Sequence, residues 1–115
     1  MARLLPRRNK KTGASPGTVI YSGHRSGPVT VSVIDYTTDR ISEESDVSID
    51  HALQLGDSES VTWIDVGGVH DEQIVKRVGD HLGLHDLVQE DVVSLHQRPK
   101  ADPDGEHIFV VLRML

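Results

Sequence analysis

A chain of 115 residues holds one domain, or part of one, around a modest core, and leaves no room for two independent units. Hydrophobic residues at 37% and charged residues at 26% exclude a fully disordered chain, and the absence of cysteine excludes a disulfide framework, thiolate metal sites and cysteine nucleophiles. The net charge is −6 although five of the twelve basic residues (Arg3, Arg7, Arg8, Lys10, Lys11) open the chain, so the body that follows is acidic and ill suited to nucleic acid.

Residues 1–28 are first basic, then rich in Gly, Ser, Thr and Pro, and Val19, Ile20 and Tyr21 form their main apolar group. They read as a flexible basic tail, with a solvated terminus the better account of the charge run than lipid or nucleic-acid binding. The arginine-rich start is not followed by an apolar signal segment, and no run approaches the roughly 20 apolar residues of a membrane span. Folding signals begin where Val29, Val31 and Val33 alternate with Thr30, Ser32 and Ile34, which predicts a strand ending at Asp35 and Tyr36. Thr37, Thr38 and Asp39 turn the chain, and residues 40–47 return as a more polar strand near an edge. A short helix follows around Ile49 to Leu55, capped by Ser48 or Asp50 and stopped at Gly56.

Val61 to Val66 has apolar residues on both faces, which predicts the centre of the sheet, with Trp63 in the core. Gly67 and Gly68 break that strand. Asp71 caps a helix whose Ile74, Val75, Val78 and Leu82 follow the three-and-four rhythm until Gly83 ends it. A further helix runs from about His85 to Leu95, and Pro99 keeps it from continuing far. Asp102-Pro103-Asp104-Gly105 reads as a turn, and Ile108 to Leu115 as an apolar strand. The fold class expected is α/β, a mixed sheet flanked by helices in the order β-β-α-β-α-α-β-β, over residues 29–115. Because the chain stops inside an apolar strand, a truncated sheet is expected, one that seeks another strand by dimerising or swapping.

Wound at about 100° per residue, the helix near His85 sets Leu84, Leu87, Val88, Val92 and Leu95 on one stripe with Asp91 in its middle. A carboxylate buried there needs a counter-charge, a hydrogen bond or a metal. Glu90 lies on the flank, so the two acids could meet a hard cation with oxygen ligands from elsewhere. Equally, Asp91 could pair with Arg98 or cap a backbone turn, and the residues alone leave both readings open. Among the seven histidines, His81 and His85 have the i, i+4 spacing of a zinc pair, but Gly83 between them ends the helix and separates them. His70 and His96 read as capping or hydrogen-bonding groups. Gly67-Gly68 lacks the flanking residues of a phosphate cradle, and no Ser, His and Asp set announces catalysis, so an enzyme is not expected.

Two stretches resemble a known family. Thr62-Trp63-Ile64-Asp65-Val66-Gly67-Gly68-Val69-His70, with Val75-Lys76-Arg77-Val78-Gly79 and Leu82-Gly83-Leu84-His85, resembles a strand-turn-helix of CorA-type divalent-cation channels. His85-Asp86-Leu87-Val88-Gln89-Glu90-Asp91-Val92-Val93, then His96-Gln97-Arg98-Pro99-Lys100 and Phe109-Val110-Val111-Leu112-Arg113-Met114, is similar to the segment and strand that follow it. The resemblance spans roughly Val29 to Leu115 in one consistent order. It implies a homopentamer in the cell membrane, a cytoplasmic α/β domain to which these residues belong, and membrane helices and pore elsewhere in the polypeptide. It also implies that Glu90 and Asp91 help to bind regulatory magnesium near subunit interfaces and so hold the channel closed. A zinc or other transition-metal transporter of the same superfamily, and a stand-alone interaction module, are the alternatives; a nucleic-acid binder using the basic tail ranks last.

Overall fold

The computed structural model describes residue 19 and residues 26–114. Most of the tail expected over residues 1–28, and Leu115, therefore lie outside the described residues. Among the described residues, five strands and three helices follow in the expected order: β1 Val31–Tyr36, β2 Ile41–Glu44, α1 Ile49–Gly56, β3 Val61–Val66, α2 Glu72–Leu82, α3 Asp86–Val92, β4 Lys100–Asp104 and β5 His107–Val111. They form an α+β arrangement of two antiparallel sheets, compatible with the soluble-domain fold expected.

The first sheet has the order β2-β1-β3, so the centre is β1 and not Val61–Val66 as its pattern predicts. β1 aligns Tyr36 with Ile41 on one side and with Val61 on the other. Its alternation decides the layering: Val31 and Val33 are 4% and 2% exposed and pack under Ala52 of α1, with Ile49, Leu55, Ile64 and Val66 around them. Along β3 every second residue is turned away from that helix, which leaves Val61 and Trp63 exposed. Trp63, expected in the core, is 68% exposed and sits opposite Ile34 in the register. Apolar residues on both faces of β3 mark a strand covered on one face, whose other face joins Ile41 and Tyr36 in an uncovered apolar surface.

Ser48 caps α1 by accepting a hydrogen bond from the His51 amide at 3.1 Å, one of the two caps anticipated. The helix ends at Gly56, where its stop is expected. Asp35 is a polar member of the buried face of β1, at 8% exposure. Ser60 Oγ and Thr62 Oγ1 donate to its Oδ1 at 2.5 and 2.7 Å. Those hydroxyls, with lesser help from Arg40 and against the opposing effect of burial, hold its carboxyl below the usual range. A lowered folded value means a stabilising contribution that is complete above the unfolded carboxylate value and lost as pH falls through the folded one. The stability gap between the parent chain and Asp35→Asn is accordingly expected to shrink as pH drops below about 4; a gap unchanged down to pH 2 in denaturant titrations overturns this assignment.

Asp71 caps α2 as expected, accepting from the Gln73 and Ile74 amides at 3.1 and 3.2 Å. Gly83 ends it at φ 68°, a left-handed conformation that glycine adopts without penalty. In the second sheet the turn is shorter and later than the Asp102–Gly105 expectation. Asp102, Pro103 and Asp104 belong to β4, with Pro103 opposite Ile108, and the chain reverses at Gly105 and Glu106. Proline is tolerated because a two-stranded sheet has only edges, so its missing N–H interrupts no second ladder. β5 is correspondingly shorter than the Ile108–Leu115 run, ending at Val111.

Candidate functional site

The site is built where α3 meets the β4–β5 hairpin. His85 caps α3, its Nδ1 accepting from the Leu87 amide at 3.1 Å, while its own amide donates to Asp104 Oδ2 of the hairpin at 3.3 Å. One turn on, Gln89 is the pivot: at 2% exposure it is buried, and its amide nitrogen donates to Asp80 Oδ1 at 3.1 Å and to the Leu84 carbonyl at 3.2 Å. That bond, followed by the one from Lys76, lowers the Asp80 carboxyl below its ordinary value. The side chain of Gln89 fills the space that Gly79 leaves by lacking a Cβ.

This tie to α2 sets the rotation of α3 and keeps only part of the expected apolar stripe: Leu84, Val88 and Val92 are half-buried. The residues buried are Gln89, Val93 and Ser94, whereas Leu87 and Leu95 are 50% and 47% exposed, with Leu95 beyond the helix end. The expectation of a helix from His85 to Leu95 overshoots by three residues. Asp91 is consequently not submerged: its side chain is 37% exposed. Its partner is Lys100 Nζ at 3.2 Å from Oδ2, rather than Arg98. The Lys100 ammonium also lies 3.3 Å from Asp102 Oδ2 and 5.3 Å from the centre of the Phe109 ring. The Asp91 bond is the first cause of a raised Lys100 value, partial burial opposes it, and Asp102 adds to it. The backbone of Asp91 is engaged as well, its carbonyl accepting from the Ser94 amide at 3.1 Å and from Gln97 Nε2.

Glu90 is half-buried and precedes Asp91 on the same turn, about 100° around the helix. The structure thus keeps the two acids adjacent on one short helix. Among the described residues no group of three or more His, Asp or Glu side chains converges on one point. A cleft of about 290 Å³ opens beside Asp91, bordered by Val92, Phe109 and Arg113.

Sequence reasoning missed Lys100, Asp102 and Gln89. Arg98 was the nearest basic side chain, but Lys100 is placed by the hairpin register, which sets it opposite Val111. His81 and His85 are engaged separately, as the glycine between them implies. His81 Nε2 lies 2.8 Å from Asp57 Oδ1, and His70 Nε2 lies 2.9 Å from the Gly27 carbonyl oxygen. His96 is exposed. No helix among the described residues is long and apolar enough to cross a membrane.

No family model matches the chain. The cobalt/magnesium transport protein CorA of Thermotoga maritima is 35% identical over 108 residues, which cover 94% of this chain and 31% of that protein. The chain thus spans about a third of the length of the curated relative it matches. The alignment runs over nearly the whole chain, the strand-turn-helix and α3 segments described above included, so in sequence the chain is similar to part of a CorA protein.

Proposed function

We propose that this chain is the cytoplasmic regulatory and assembly part of a membrane transporter of divalent cations, and that Glu90 and Asp91 contribute to a magnesium site between copies of it. The observation that carries the proposal is the 35% identity over 94% of the chain to a protein named for cobalt and magnesium transport. The donor chemistry fits in kind: both side chains offer hard carboxylate oxygens, and magnesium is commonly held by one or two carboxylates with several waters retained. Asp91 has solvent access on its cleft side. Further ligands would come from water or from another copy, in a homo-oligomer of the kind the resemblance implies.

When bound, such an ion supplies a compact double positive charge that offsets repulsion between facing carboxylates. The chain's own part is to present Glu90 and Asp91 from α3, whose rotation is fixed by Gln89, and to bring a net charge of −6 to each copy. Without compensation, acidic surfaces favour separation, and the two arrangements interconvert according to which of them the cation binds better. In the full-length protein reconstituted in vesicles, Asp91→Ala is expected to raise the magnesium concentration that halts cation flux by about tenfold, the loss of one charged ligand. Flux that closes at the parent's magnesium concentration overturns the assignment.

A further inference from the structure

Resting on that reading of Asp91, the geometry points to Lys100 as a tethered competitor for the cation, so that the site exchanges an ion held between copies for an ammonium held within one copy.

Lys100 Nζ occupies one lobe of the Asp91 carboxylate, 3.2 Å from Oδ2, which is where a positive ligand would sit. An ion taking that oxygen must move the ammonium aside. The surroundings supply somewhere for it to go: Asp102 Oδ2 is already 3.3 Å away, and the Phe109 ring offers its negative face at 5.3 Å. Lysine suits this because its charge is compact and its four-carbon stem swings without moving the backbone. The register fixes the anchorage, since Lys100 and Asp102 stand two residues apart on one face of β4 with Phe109 opposite Asp102 on β5.

The strength of the pair decides whether exchange is feasible. Both side chains retain about a third of their exposure, 33% for Lys100 and 37% for Asp91. A pair this open is screened and weak, so a divalent ion can displace it, yet it is strong enough to set the concentration at which displacement begins. Arg113, bordering the same cleft with its guanidinium 3.4 Å from the Gln97 carbonyl oxygen, adds a second positive group that a cation meets on approach. The consequence for regulation is a threshold: below it Asp91 is folded back onto its own hairpin, and above it Asp91 is released towards a neighbouring copy.

The test is magnesium chloride titrated calorimetrically into the full-length protein and its Lys100→Met, Lys100→Arg and Asp91→Asn variants. Lys100→Met is expected to lower the magnesium midpoint by roughly three- to tenfold, because the competitor is gone while the stem still packs. Lys100→Arg, which keeps the charge, is expected to stay within about twofold of the parent. Asp91→Asn is expected to weaken binding and to abolish the effect of Lys100→Met in the double variant. If Asp91→Asn weakens binding but Lys100→Met leaves the midpoint unchanged or raises it, Lys100 is not a competitor and the metal reading stands alone. If Asp91→Asn itself leaves the midpoint unchanged, the metal reading is overturned and the competitor with it.

Discussion

Truncating Leu53 to alanine is expected to destabilise the fold by about 2–5 kcal/mol, whereas removing the much larger Trp63 side chain should change stability by no more than about 1 kcal/mol. The two residues differ in placement, not in hydrophobicity. Leu53 is 3% exposed on α1, beside Ala52 at 0%. Removing its buried side chain forfeits close-packed contacts and leaves a void that the surroundings fill only in part. Trp63 is 68% exposed on the bare face of β3 and leaves little void when trimmed. Urea denaturation of the two variants checks the ordering; a Trp63→Ala loss equal to that of Leu53→Ala would mean that the outer sheet face is covered.

Gly79→Ala is expected to cost about 1–3 kcal/mol even though alanine is ordinarily the better helix former. A Cβ at this position would fall 2.8 Å from Gln89 Nε2 and closer still to the carbons behind it. A flexible side chain could normally retreat. Gln89 cannot do so cheaply, because it is 2% exposed and its amide nitrogen holds both Asp80 and the Leu84 carbonyl. The pair should therefore be strongly non-additive: in a Gln89→Ala background the added methyl enters vacated space, and Gly79→Ala becomes neutral or stabilising. Simple addition of the two single-variant losses in chemical denaturation would rule out this contact as the cause.

Much of the fold was legible because its signals are local. Ser48, Asp71 and Gly83 cap or stop their helices through hydrogen bonds and backbone angles set within a few residues, and these were readable. The place of β3 was not. Its two apolar faces resemble those of a central strand, and only the pairing of β1 on both sides shows which strand is enclosed. The same holds at the site. Glu90 and Asp91 were identified through resemblance, while the helical projection of α3 misjudged their surroundings, since it assumes that apolar residues choose the buried face. Here a glutamine chooses it, by reaching back to α2. Lys100 was hidden for a related reason: nine residues and a turn separate it from Asp91, and the hairpin register brings them together.

The β4–β5 hairpin is moored to the helices largely by polar side-chain links: His107 Nε2 to the Leu82 carbonyl at 2.8 Å, Asp104 to the His85 amide, and Lys100 to Asp91. Its outward face keeps Ile108 74% and Val110 49% exposed. A unit held in this way detaches at little energetic cost while the three-stranded sheet stays shut, so amide protons of β4 and β5 exchange with solvent sooner than those of β1. The acidic turn of α3 is therefore docked against a hairpin expected to open before the central strand β1.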